Sequence, residues 1–200
     1  GDGTLIIWND AGVRRCSNSR GKLKKLNWEV ASRLDVGRWF DTTFSGERMA
    51  TLEEMLALLD ELGMGLNLEL KVNRGRDASA LVESVLPAAM QSLPRERLLV
   101  SSFDMTALNA SRRLVPDPQA LALGLLYEKL PRDWQDHASR LGAFSLHLDW
   151  RRLKLAQAQA VAASDYRLLC YTVNDTQAYQ RLCQWGVDAV ISDDPGRLTR

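Results

Sequence analysis

Short β-rich apolar runs alternate along this chain with stretches whose apolar residues recur at helical spacing. The strand candidates are Leu66–Lys71, Leu98–Phe103, Leu121–Tyr127, Phe144–Leu148, Arg167–Val173 and Ala189–Ser192. Helical patterns fall between them at Ala78–Gln91, Met105–Leu114, Arg132–Leu141, Lys154–Ala163 and Thr176–Trp185. Leu81, Val85, Leu86 and Ala89 display the spacing of one helix face. Thr51 and Glu54 form a capping-box pair that opens a further helix over Leu52–Leu62, and Gly63 is placed to end it.

Alternation on this scale predicts parallel strands joined by right-handed crossovers. Two architectures satisfy it, a doubly wound open sheet and a closed barrel. The open sheet usually carries a glycine-rich turn after its first strand, and neither G-x-G-x-x-G nor a P-loop occurs here. The expectation is therefore an α/β fold of the (β/α)8 TIM-barrel type, with residues 1–200 as a single domain. A barrel needs eight strand–helix units, and about six follow the opening section. An unclosed barrel would leave two raw strand edges. The first strand–helix–strand section is accordingly expected before residue 1, and the lack of an initiator Met at Gly1 points the same way.

Composition narrows the function classes. Hydrophobic residues at 46% can build a substantial core, and a net charge of +1 supplies no field to gather nucleic acid. The basic cluster Arg14, Arg15, Arg20, Lys22, Lys24 and Lys25 reads as a solvated face. No apolar run reaches the roughly 18 residues of a membrane span, so no integral membrane segment is expected. Cys16, Cys170 and Cys183 are odd in number and lack CxxC spacing, which argues against a disulfide framework and a structural zinc site. A cytoplasmic location fits that cysteine usage. Nothing in the sequence sets an oligomeric state.

Glu69 and Lys71 alternate on one strand and so point to the same side. Charged groups at the C-terminal end of a barrel strand face the mouth, where such folds keep their chemistry; the competing reading is a solvated strand end or an ion pair. Ser145, His147 and Asp149 share the face opposite Phe144, Leu146 and Leu148. His147 is either a substrate contact near the mouth or a hydrogen-bonded structural histidine, and His137, beside Asp136, reads as surface. Asp193 and Asp194 end the last strand with acid, which disfavours a phosphate grip by backbone N–H groups there.

Several blocks occur in order: Asp2-Gly3, Asn9-Asp10, Arg15-Cys16-Ser17-Asn18, Gly37-Arg38-Trp39-Phe40, Leu68-Glu69-Leu70-Lys71, Ser101-Ser102-Phe103, Tyr171-Thr172-Val173-Asn174, and Gly186-Val187-Asp188 with Ile191-Ser192-Asp193. Together they resemble the glycerophosphodiester phosphodiesterase family, of the bacterial cytosolic type, from Asp2 to about Pro195. The resemblance implies a barrel with a family-specific excursion after strand 2, here residues 2–50, followed by helix 2 to strand 8 over residues 51–200. It implies metal-dependent hydrolysis of a small-molecule glycerophosphodiester to glycerol 3-phosphate and an alcohol. Glu69 matches a metal carboxylate, which suits Mg²⁺ or Ca²⁺, and Lys71 a phosphate-contacting lysine. Trp39 and Phe40 match a wall of the glycerol pocket, or else anchor the excursion; Phe103 and Tyr171 match pocket lining. Asn9 stands where the family has a catalytic histidine. An amide cannot donate and recover a proton at neutral pH, so a second reading is kept: an impaired or non-catalytic barrel that binds a phosphodiester.

Overall fold

The computed structural model describes residues 2–198. The chain forms two compact units, one of Gly1–Gly65, Asn73–Arg76 and Glu83–Pro94, the other of Leu66–Val72, Asp77–Val82 and Arg95–Arg200.

The second unit holds a six-stranded parallel sheet: β1 Leu66–Glu69, β2 Leu98–Ser102, β3 Ala122–Tyr127, β4 Ser145–Asp149, β5 Arg167–Tyr171 and β6 Ala189–Val190. Strand order follows chain order, each strand pairing in parallel with the next. Helices α3 Ala78–Ser92, α4 Met105–Leu114, α5 Trp134–Leu141, α6 Leu155–Ala162 and α7 Thr176–Gln184 supply the crossovers, and α8 Pro195–Leu198 follows β6. Side chains alternate across the strands. Leu68, Val100, Leu123, Leu125, Leu146, Leu148, Leu168 and Cys170 are buried on one face, against which α4 and α6 pack. The opposite face, the polar face, carries Asn67, Glu69, Ser101, Gly124, Ser145 and His147, interleaved with Leu99, Leu126 and Leu169.

The strand expected over Leu66–Lys71 ends at Glu69. Leu70 still donates to the Ser101 carbonyl at 2.8 Å, but its own carbonyl accepts the Ser102 hydroxyl at 2.6 Å. A side chain thus closes the ladder, and Lys71 lies just beyond it. β4 is shifted one residue later than expected, over Ser145–Asp149, although the Phe144 N–H already bonds the Leu123 carbonyl at 2.8 Å.

In the first unit, α1 Trp28–Ala31 and α2 Leu52–Glu61 are the α-helices before β1. The Thr51–Glu54 capping box forms as expected, and Gly63 takes a left-handed φ of 64° just past the helix. Residues 2–50 contain little regular structure. They cohere around Val13, Ala31, Leu34 and Met49, with Ile6, Trp8, Leu23, Leu26, Trp28 and Val36 packed against them. No helix among the described residues is long and apolar enough to cross a membrane.

Candidate active site

The end of β1 places two opposite charges on the polar face. Lys71 Nζ lies 3.5 Å from Glu69 Oε1, with both side chains about one-third exposed (37% and 33%). Register sets Glu69 beside Ser101, Ser101 beside Gly124, and Gly124 beside Ser145. At the C-terminal ends of β2 and β5, the rings of Phe103 and Tyr171 meet edge to face, 5.9 Å between centroids. The Tyr171 hydroxyl donates to the Tyr127 carbonyl at 3.0 Å. Burial, reinforced by Asp149, Glu128 and Glu69, pushes that phenol up to about 12. Tyr171 is therefore neutral in a negative surrounding. Arg152 bridges the neighbouring acids, 3.2 Å from Glu128 and 3.5 Å from Asp149.

His147 is fully buried on the same face, its Nε2 2.9 Å from Ser145 Oγ in a hydrogen bond. Its ring fills the space left by Gly124, where an added Cβ would sit 2.7 Å from Nε2. Nδ1 has no hydrogen-bond partner among the described residues. Burial pushes its pKa down to about 4, so the imidazole is neutral near pH 7. Of the two readings of His147, this environment is that of the structural one; the residue offers no accessible edge to a substrate. His137 departs from the surface reading: its Nδ1 lies 3.0 Å from the Tyr127 hydroxyl, and its side chain is 32% exposed.

In the first unit, the Asn9 amide donates to Asp10 Oδ1 at 3.1 Å. Asp10 in turn accepts both arms of the Arg15 guanidinium, at 2.7 and 3.0 Å. The Arg15 guanidinium carbon lies 6.0 Å from the centre of the Trp39 ring. Trp39 and Phe40 contact each other edge to face and are 50% and 71% exposed, so they do not anchor the excursion in its core.

The family model described as "Glycerophosphoryl diester phosphodiesterase family" matches residues 1–197. The chain belongs to this family. It is a family of phosphoric diester hydrolases. The chain is 30% identical to a glycerophosphodiester phosphodiesterase of Caldanaerobacter subterraneus subsp. tengcongensis, over 98% of this chain and 79% of that protein. A phosphodiesterase from Oleispira antarctica, solved with the product sn-glycerol-3-phosphate, superposes with a TM-score of 0.92 at 30% identity, covering 100% of this chain and 79% of that one. A solved structure from Silicibacter pomeroyi shares the fold, with a TM-score of 0.83 at 20% identity over 98% of this chain and 78% of that one.

In this glycerophosphoryl diester phosphodiesterase relative, the described residues contain no group of three or more His, Cys, Asp and Glu side chains able to hold a metal ion. Glu69 offers one carboxylate, and Lys71 lies within ion-pair distance of it. A hard divalent ion wants several oxygen ligands, so these residues do not by themselves make a metal site. The sequence reading passed over two arrangements: the Arg15 link between Asp10 and Trp39, and the Glu128–Arg152–Asp149 bridge beside Tyr171. Asp149 was visible as the outward neighbour of His147 on its strand face. Arg15 stood in a family block, yet its partner Asp10 is five residues away across a loop, and Arg152 lies three residues from Asp149 while its second partner, Glu128, is distant in sequence.

Proposed function

We propose that the chain hydrolyses glycerophosphodiesters to glycerol 3-phosphate and an alcohol, at the C-terminal ends of strands belonging to an eight-stranded barrel of which β1–β6 are six. The observation that carries this reading is the Glu69–Lys71 pair, held half-open at the end of β1 in a member of a phosphodiesterase family. Lys71 is suited to offset charge on a phosphate oxygen, a role that gains strength as charge grows in the transition state. Phe103 and Tyr171 offer apolar ring surface beside that pair, and Tyr171, fixed by its bond to Tyr127, presents a rigid neutral wall. Trp39, with Phe40 next to it, is the proposed wall for the glycerol carbons. Glu69 would supply one carboxylate to a Mg²⁺ or Ca²⁺ ion, whose chemistry when bound is to neutralise the diester.

Asn9 is the specific observation behind the second reading, a barrel that binds a phosphodiester and turns it over poorly or not at all. An alkoxide leaving group needs a proton from a group titrating near neutrality. The Asn9 amide can orient an oxygen but cannot shuttle that proton, and losing such a group costs about 10²- to 10⁴-fold in rate. The test is turnover of glycerophosphocholine with Mg²⁺ or Ca²⁺, comparing the chain with Asn9→His. A rise in rate in Asn9→His supports hydrolysis. No turnover in either form, with glycerol 3-phosphate still binding in a calorimeter, leaves the binding reading.

A further inference from the structure

The excursion has a second chemical character, an excess of basic groups that the proposed hydrolysis does not use. Residues 10–48 hold nine Lys and Arg against five Asp and Glu, while the rest of the chain holds 17 against 20. Most of those five acids are spent inside the segment. Asp35 accepts N–H groups from Gly37, Arg38 and Gly46, Asp41 accepts that of Thr43, Asp10 holds Arg15, and Glu29 pairs with Arg33. Arg14, Arg20 and Arg38 are exposed, and none forms an ion pair among the described residues.

The loop that carries two of these arginines is tied to a turn that holds an apolar knot. Gly12 pairs antiparallel with Lys22, closing a loop that carries Arg14, Arg15 and Arg20. Asn18 in that loop exchanges two 3.1 Å hydrogen bonds with Asp35, which leads directly into the turn bearing Arg38, Trp39 and Phe40. There the rings of Trp39, Phe40 and Phe44 run in series, 5.8 Å between successive centroids, and Phe44 is 46% exposed. The core of the unit lies elsewhere, around Val13 and Leu34.

We propose that the segment carrying the exposed Arg14, Arg20, Arg38, Phe40 and Phe44 docks the protein on an anionic lipid surface. Aromatic rings settle at the headgroup level of a bilayer, and clustered Arg and Lys are drawn to its negative potential. A single-stranded nucleic acid fits less well, because it needs open ring faces along a basic groove. Here the rings are packed edge-on or tilted against one another. The proposal is independent of whether the chain turns over a phosphodiester.

The experiment is co-sedimentation with vesicles of phosphatidylcholine alone and of phosphatidylcholine mixed with phosphatidylglycerol. Binding is expected on the mixed vesicles and is expected to fall about tenfold on neutral ones or in roughly 0.5 M salt. Arg14→Glu with Arg20→Glu, and separately Phe44→Ser, should each lower partitioning by about tenfold while thermal unfolding stays where it is. The arginine pair is exposed, so it keeps the test valid even where Phe44→Ser disturbs the turn. Equal partitioning on both vesicle types, no binding to either, unchanged binding by the arginine variant, or displacement by a single-stranded oligonucleotide would each overturn the proposal.

Discussion

The ammonium of Lys71 lies 3.5 Å from a carboxylate oxygen of Glu69, on a strand end where each side chain keeps about a third of its surface in water (37% and 33%). An ion pair this exposed stabilises a fold by about 1 kcal/mol or less. Its place on the polar face is thus poorly explained by stability alone. Glu69→Gln and Lys71→Gln should leave the melting temperature nearly unchanged. Measured in the Asn9→His background with glycerophosphocholine, each should lower turnover about 10²-fold or more. A variant that melts and turns over like its parent would remove that residue from the proposed chemistry.

His147 gives the fold a pH dependence of defined sign. Burial holds its folded-state pKa at about 4, against an ordinary value of 6.5. The unfolded chain therefore takes up a proton near pH 6.5, while the folded chain resists until near pH 4. Stability from the neutral imidazole is complete above about pH 6.5 and is withdrawn as pH falls, reaching a loss of about 3 kcal/mol near pH 4. Urea unfolding at pH 7 and pH 4.5 measures it. In His147→Gln, which cannot take up that proton, the difference between the two pH values should shrink by most of this amount, although carboxylates still titrate. An unchanged difference would mean that His147 is solvated.

The fold was readable from sequence where local pattern decides it. Short β-rich apolar runs alternating with helical patterns located all six strands to within a few residues, and Thr51 with Glu54 located a helix start that forms as drawn. Features set by neighbours in space were not readable. Nothing around Lys71 announces that Ser102 closes the ladder at Leu70 and leaves the lysine beyond the strand. The exposure of Phe40 depends on which residues fill the core of the excursion, and an apolar symbol in a loop does not reveal that. For the candidate site, the alternation of Glu69 and Lys71 was legible, whereas the Arg15–Asp10 link depends on loop geometry.

Arg112 is the clearest structural residue that the pattern concealed. Its side chain donates to the carbonyls of Leu141, Val115, Asp117, Leu121 and Gly142, at 2.8 to 3.1 Å. Partial burial holds its pKa below the ordinary arginine value. One planar fork thereby joins the end of α4 to the segments entering β3 and β4. A lysine keeps the charge but has one donor atom, so it cannot reach carbonyls spread around that plane. Arg112→Lys should cost about 2 kcal/mol or more in urea unfolding, because carbonyls lose charged partners in a partly buried setting. A cost within error of zero would mean that water replaces the guanidinium there.

Gly124 tests the packing beneath the proposed site. It stands on β3 beside Ser145 of β4, and the His147 ring lies over it. A methyl group there would meet His147 Nε2 at 2.7 Å, Cε1 at 3.0 Å and Ser145 Oγ at 3.0 Å. His147 and Ser145 are both fully buried, so neither can swing into solvent to make room. Gly→Ala in a strand would otherwise be tolerated, since it lowers the entropy of the unfolded chain. Here overpacking should win, and Gly124→Ala should cost about 1–3 kcal/mol. The double variant Gly124→Ala with His147→Ala separates strain from other causes: removing the ring removes the clash, so the methyl group should cost less in that background than alone. Additive costs would show that the histidine ring does not press on this strand.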